Sequence, residues 1–162
     1  MKNNTKLEIT DDFLHRLPKT DLHVHLDGSL RLATILELAE ERGVTLPADT
    51  PEGLAESISM GRKCEDLTDY LKGFDVTLSV LQDERSLYRA AYELAEDAAR
   101  ENVRYMEVRY SPILHTQKGM KLTRILESVL EGLSDARNEF GIHCDVIVCG
   151  IRHIEPQQSL RL

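Results

Sequence analysis

Apolar residues recur on two periods along this chain, and each change of period marks a change of element. Three short runs are strand-like: residues 20–25 (TDLHVH), 103–110 (VRYMEVRY) and 144–151 (CDVIVCGI). Each is rich in β-branched, aromatic or other apolar residues and is bounded by turn or helix signals. Elsewhere the spacing lengthens to three and four, the period of a helix with one apolar stripe. Residues 32–42 predict a helix that Ser29 caps and Gly43 ends. Pro51 opens a shorter segment reaching Met60. Residues 66–81 place Leu67, Tyr70, Leu71, Phe74 and Leu78 on one stripe, and residues 84–102 do the same with Leu87, Ala91, Leu94, Ala95 and Ala98. The last long helix, 122–140, carries Leu122, Ile125, Leu126, Val129, Leu130 and Leu133, and Gly141 closes it.

Strands separated by long helical stretches predict crossover connections and a parallel sheet. The first crossover holds too many helical segments for a single connecting helix. Residues 44–83 therefore read as a helical insertion over the end of the sheet, a place where insertions form lids or pocket walls. Three strands leave two bare edges and cannot close a barrel. A closed (β/α)8 barrel takes about 250 residues. The chain of 162 residues is expected to be one α/β domain, residues 1–162, holding the first three strands and crossover helices of an incomplete barrel.

Composition narrows the partners. The formal charge is −8, with 28 acidic and 20 basic residues, and the basic residues are scattered among the acids. A phosphate backbone or an anionic membrane wants them clustered, so nucleic acid and membrane are not expected partners. No apolar run is long enough to span a bilayer, and residues 1–12 have no apolar core of the kind a secretory signal needs. Cys64, Cys144 and Cys149 are odd in number and lack CxxC spacing, which fits free thiols and a cytoplasmic location.

The chemistry concentrates in residues 18–29, PKTDLHVHLDGS. Side chains two apart on a strand point the same way. His23 and His25 should project to one side, with Asp27 following, while Leu22, Val24 and Leu26 turn into packing. Two imidazoles at a strand's carboxyl end can reach one zinc ion, which takes about 2.0–2.1 Å to each nitrogen. Gly28 would let the backbone turn away, and Ser29 would start the helix. The same spacing suits two surface histidines on a half-exposed strand, and a catalytic zinc wants at least a third protein ligand. His115 and His153 follow the second and third strands and are candidates for that mouth, although ordinary loop histidines fit those positions as well. His143 precedes a strand and belongs at the opposite end. Arg109 and Glu107 alternate on the second strand, a pattern expected of charges paired inside a barrel; substrate recognition by Arg109 is the alternative. The Leu67, Tyr70, Leu71 and Phe74 stripe is expected as core, or as a wall against an apolar face of a substrate.

With these residues in place, the chain resembles the amino-terminal portion of the adenosine deaminases, zinc-dependent (β/α)8 barrels of the amidohydrolase type. The resemblance runs through PKTDLHVHLDGS and through residues 105–112 (YMEVRYSP), 150–153 (GIRH) and 70–75 (YLKGFD). The H-x-E and P-C-x-x-C pattern of cytidine-type deaminases is absent. The resemblance implies one zinc ion, with His23 and His25 as two of its ligands. Asp27, with His25 nearby, would hydrogen-bond the ribose of a purine nucleoside. Leu67, Tyr70, Leu71 and Phe74 would line a lid over the purine. It also implies hydrolytic deamination of adenosine, and of 2′-deoxyadenosine, to inosine and ammonia, by attack of a zinc-activated water on purine C6. The proton-transfer glutamate and histidine of that reaction have no matching position here. They are expected beyond Leu162, which leaves this chain alone without catalytic residues of its own. Two alternatives stay open: a deaminase of adenine or a modified adenosine, and a non-catalytic interaction module whose bare sheet edge pairs with a second copy.

Overall fold

The computed structural model describes residues 9–58, 67–152 and 154–160, without the side chains of 67–70 and 72. Cys64, His153 and the side chains of Leu67 and Tyr70 lie outside the described residues. The elements follow in the order α1 (Asp11–Arg16), β1 (Lys19–His25), α2 (Leu32–Arg42), α3 (Pro51–Ser57), α4 (Leu67–Val80), α5 (Glu84–Arg100) and β2 (Val103–Tyr110). A 3-10 turn (Pro112–His115), α6 (Leu122–Phe140), β3 (His143–Val148) and α7 (Pro156–Ser159) complete them.

The three strands are parallel and ordered β1-β2-β3. The middle strand shows why the sheet holds. Val103, Met106, Val108 and Tyr110 are buried, while Tyr105, Glu107 and Arg109 alternate with them at half-buried positions. The buried set joins Leu87, Ala91, Leu94 and Ala95 of α5 and Ile125, Val129, Leu133 and Ala136 of α6 in one core. Each such fully buried large side chain contributes roughly 1.5–3 kcal/mol. The sheet is open, since three strands cannot close. Leu22, expected in packing, is instead 54% exposed, because β1 is an edge strand and nothing described covers it there.

Local signals explain the helix ends. Asp83 caps α5 by accepting from the Ser86 backbone N–H at 2.9 Å, and the Arg42 guanidinium clamps the same carboxylate. Gly43 and Gly141 close α2 and α6 at φ values of 63° and 71°, a left-handed conformation that costs glycine little. Ser29 does not cap α2, which begins at Leu32 behind Arg31. The Ser29 hydroxyl instead donates back to the His25 carbonyl at 2.6 Å, and Arg31 reaches across to Glu96 and Asp97 of α5. At the other end of the sheet, Lys19 Nζ donates to the carbonyls of His15, Leu17 and Glu101 at 3.1, 3.1 and 2.7 Å. That ammonium ties α1, the start of β1 and the end of α5 together.

Candidate functional site

β1 is not a regular strand. Between the Lys19–Val103 and Thr20–Tyr105 pairs β2 spends one extra residue, and between Asp21–Met106 and Val24–Val108 β1 spends one in return, a bulge at Leu22 and His23 that restores the register. After it Val24 stands on the buried row beside Val108, and His25 stands beside Arg109. The His23 and His25 rings lie with centroids 5.4 Å apart and planes 31° from each other. A tetrahedral ion about 2.0–2.1 Å from one nitrogen of each ring would hold the centroids roughly 5 Å apart, so the pair fits two corners of a zinc site. Among the described residues, no group of three or more His, Cys, Asp or Glu side chains gathers around a point that could hold a metal.

Just past the strand, Asp27 is 5% exposed, and its Oδ1 is buried without a hydrogen-bond partner. That oxygen sits 3.9 Å from His25 Nδ1, too far for a hydrogen bond. Burial pushes the Asp27 carboxyl up from its ordinary value, opposed by His25 and by its own backbone N–H. An orphaned carboxylate oxygen of this kind costs free energy until a donor reaches it. Gly28 does not take a left-handed turn; its reason is proximity. A Cβ there would lie 3.3 Å from Phe74 Cε1, and the Phe74 ring meets His25 edge-on with centroids 6.3 Å apart. The glycine therefore lets α4 press its ring against the turn that follows the histidines.

Between these parts lies a cavity of about 280 Å3 lined by His25, Asp27, Leu71, Phe74, Leu78 and Leu114, with Asp75 and Ile151 at its sides. Leu71 and Phe74 thus share one cavity with His25 and Asp27. Leu114 and Ile151 join it from the ends of β2 and β3, and nothing in their local spacing marks them. The clue available was topological: both follow strands whose carboxyl ends open on the same side as that of β1.

The other histidine candidates separate from this group. His115 is fully buried: its Nδ1 is 2.8 Å from the Leu81 carbonyl and its ring is 5.7 Å from that of Tyr110. Burial lowers its pKa to about 4. It packs the end of α4 onto the 3-10 turn and does not stand with His23 and His25. His143 begins β3 and is exposed, away from the cavity. Cys144 and Cys149 are free thiols, with Cys144 pushed up to about 11 by burial. Arg109 and Glu107, expected to pair with charges, form no ion pair among the described residues. Arg109 Nη2 donates to the Leu22 carbonyl at 2.9 Å, whereas Glu107 accepts from the Tyr105 hydroxyl at 3.2 Å. The bulge explains the difference, because it leaves a carbonyl within reach of the guanidinium.

This arrangement of a histidine pair, a buried carboxylate and an apolar helix face can be set against known proteins. A family model described as adenosine deaminase matches residues 18–162. The chain belongs to the adenosine deaminase family. An adenosine deaminase of Enterococcus faecalis is 42% identical over 144 residues, 89% of this chain and 42% of that protein. An adenine deaminase structure from Arthrobacter aurescens superposes with a TM-score of 0.79 at 28% identity, covering 89% of this chain and 43% of the other. An amidohydrolase from Burkholderia ambifaria with bound Zn gives a TM-score of 0.78 at 27% identity, covering 98% and 43%. The chain spans less than half the length of each. Its three parallel strands are a partial barrel of the amidohydrolase type.

Proposed function

We propose that this chain supplies the first metal ligands and one wall of the nucleoside pocket in a hydrolytic adenosine deaminase. The observation that carries the reading is the shared cavity. It brings His25, beside His23, together with the buried Asp27 carboxylate and the apolar face of α4. His23 and His25 would hold one zinc ion through neutral imidazole nitrogens. When bound, that ion lowers the pKa of a water so that a nucleophile is available near neutral pH. Asp27 would accept a hydrogen bond from a ribose hydroxyl, giving its orphaned oxygen the donor it lacks. Leu71, Phe74 and Leu78 would cover the purine and exclude water. In this reading residues 44–83 act as a helical lid within one unit, residues 1–162. At about 280 Å3 the cavity falls just below the roughly 300–1,000 Å3 that small-molecule sites take, as one wall of a larger pocket would. The proton-transfer groups have no counterpart in the chain and would come from other strands of a whole barrel.

A chimera tests this. Residues 18–162 would replace the matching part of the E. faecalis relative, with zinc content and inosine formation measured. The expected result is one zinc per chain and turnover of adenosine, both lost in His23→Ala with His25→Ala. A folded chimera that binds no zinc, or that loses neither property in the double variant, would overturn the reading. The likeness to an adenine deaminase structure favours free adenine as the second substrate reading. A clear preference for adenine over adenosine in the same assay would select it.

A further inference from the structure

β1 and β2 slip against each other twice: between Lys19 and Thr20 β2 spends an extra residue, and at Leu22–His23 β1 spends one, which restores the register of the Lys19–Val103 pair. If β1 continued regularly from the Asp21–Met106 pair, position 23 would stand opposite Val108 and position 25 opposite Tyr110, on the row that packs into the core. A slip of one residue exchanges the two faces of a strand. The extra residue at Leu22–His23 undoes the earlier slip, returning Val24 to the buried row and setting His25 beside Arg109, where it lines the cavity.

A bulge removes backbone groups from the ladder, and those groups need other partners. Two side chains supply them. Arg109 Nη2 donates to the Leu22 carbonyl at 2.9 Å, and Asp21 Oδ1 accepts from the His23 N–H at 3.0 Å. Arg109 does so from the position on β2 directly beside His25. Its Nε is buried without a partner, a cost to the fold that an apolar side chain of similar length would not carry.

We propose that Arg109 and Asp21 are positioning residues: they hold the Leu22–His23 bulge that restores the register and sets His25, with the His23 ring beside it, at the cavity. The inference rests on the reading of His23 and His25 as metal ligands, but the geometry it concerns exists without metal. Neither residue touches the reacting atoms.

The test uses this chain with Arg109→Met, Arg109→Lys and Asp21→Ala, read in two ways. In the metal-free protein, NMR follows the contact between the His23 and His25 rings and the exchange of the His23 amide proton. In a chelator competition, zinc affinity is measured on the E. faecalis chimera carrying the same substitutions. Arg109→Met should leave the thermal midpoint within about 3 °C of the parent, since it removes a partly unsatisfied buried charge along with the contact. It should nonetheless abolish the ring contact, speed His23 amide exchange and weaken zinc binding at least tenfold. Arg109→Lys, which keeps a donor for the Leu22 carbonyl, should restore most of all three. Asp21→Ala lies on an exposed position and should speed His23 exchange without unfolding the chain. Unchanged ring contact and amide exchange in both Arg109→Met and Asp21→Ala would overturn the inference, whatever zinc does. A chimera that binds no zinc, beside the expected NMR changes in this chain, would instead overturn the metal-ligand reading and leave the positioning role standing.

Discussion

Gly132 lies in the middle of α6 and is buried, and replacing it with alanine sets two effects against each other. Helix propensity and the entropy of the unfolded chain favour alanine there by about 1 kcal/mol. The packing opposes it. A Cβ at position 132 would sit 2.3 Å from the Tyr88 carbonyl oxygen, 3.1 Å from its carbon and 3.2 Å from Ala91 Cβ. The first two atoms are α5 backbone, so no side-chain rotation relieves the clash, and the two helices must separate. Separation loosens Val129, Leu133 and Ala136 against Ala91, Leu94 and Ala95, all fully or almost fully buried. It also stretches the hydrogen bonds from Tyr88 to Asp135 at 2.8 Å and from Tyr92 to Glu139 at 2.6 Å. Overpacking costs roughly 1–3 kcal/mol, and a backbone clash belongs at the upper end. Gly132→Ala is therefore expected to destabilise by about 1–2 kcal/mol, lowering the thermal midpoint by about 3–8 °C. Circular dichroism melts with matching urea titrations measure it. Asn138→Ala on the exposed face of the same helix, expected to gain a few tenths of a kcal/mol, is the control. A Gly132→Ala protein as stable as the parent, or more stable, would refute the packing argument.

Three further outcomes follow from the same structure. His115 titrates near 4 in the fold and near 6.5 when unfolded, so the unfolded chain takes up the proton first and stability falls as the pH drops from about 6.5 toward 4. The full loss is about 3 kcal/mol, and His115→Gln should flatten that branch of a stability–pH curve; an unchanged slope would reject it. Lys19→Met removes a shared donor from three carbonyls and should cost about 1–2 kcal/mol in urea unfolding, with increased hydrogen exchange at the end of α5. Leu71 is 43% exposed yet lines the cavity. Leu71→Ser should leave the melting temperature nearly unchanged while weakening purine nucleoside binding about fivefold, measured by ligand-observed NMR.

Local periodicity carried much of the architecture. The expected ranges of the second strand, 103–110, and of the helices 32–42 and 122–140 coincide with the observed elements. An amphipathic stripe and a terminating glycine are properties of neighbouring residues, so they survive in a one-dimensional reading. The third strand stops at Val148, short of the expected 151, because its pairing with β2 runs out beyond Tyr110. Ser29 misled for a related reason: a hydroxyl near a helix start resembles a cap, but the His25 carbonyl is the nearer partner.

By itself the sequence determined that two histidines stand two apart on a strand before an Asp-Gly turn, and that a helix with an apolar stripe follows. That β1 and β2 slip twice and return to register at Val24 was decided by the tertiary structure, because a slip is a difference in count between two strands and neither strand records it alone. The same holds for Gly28 beneath Phe74 and Gly132 against the Tyr88 carbonyl. Each is small because a distant segment approaches closely, and close approach between segments far apart in sequence leaves no period to read.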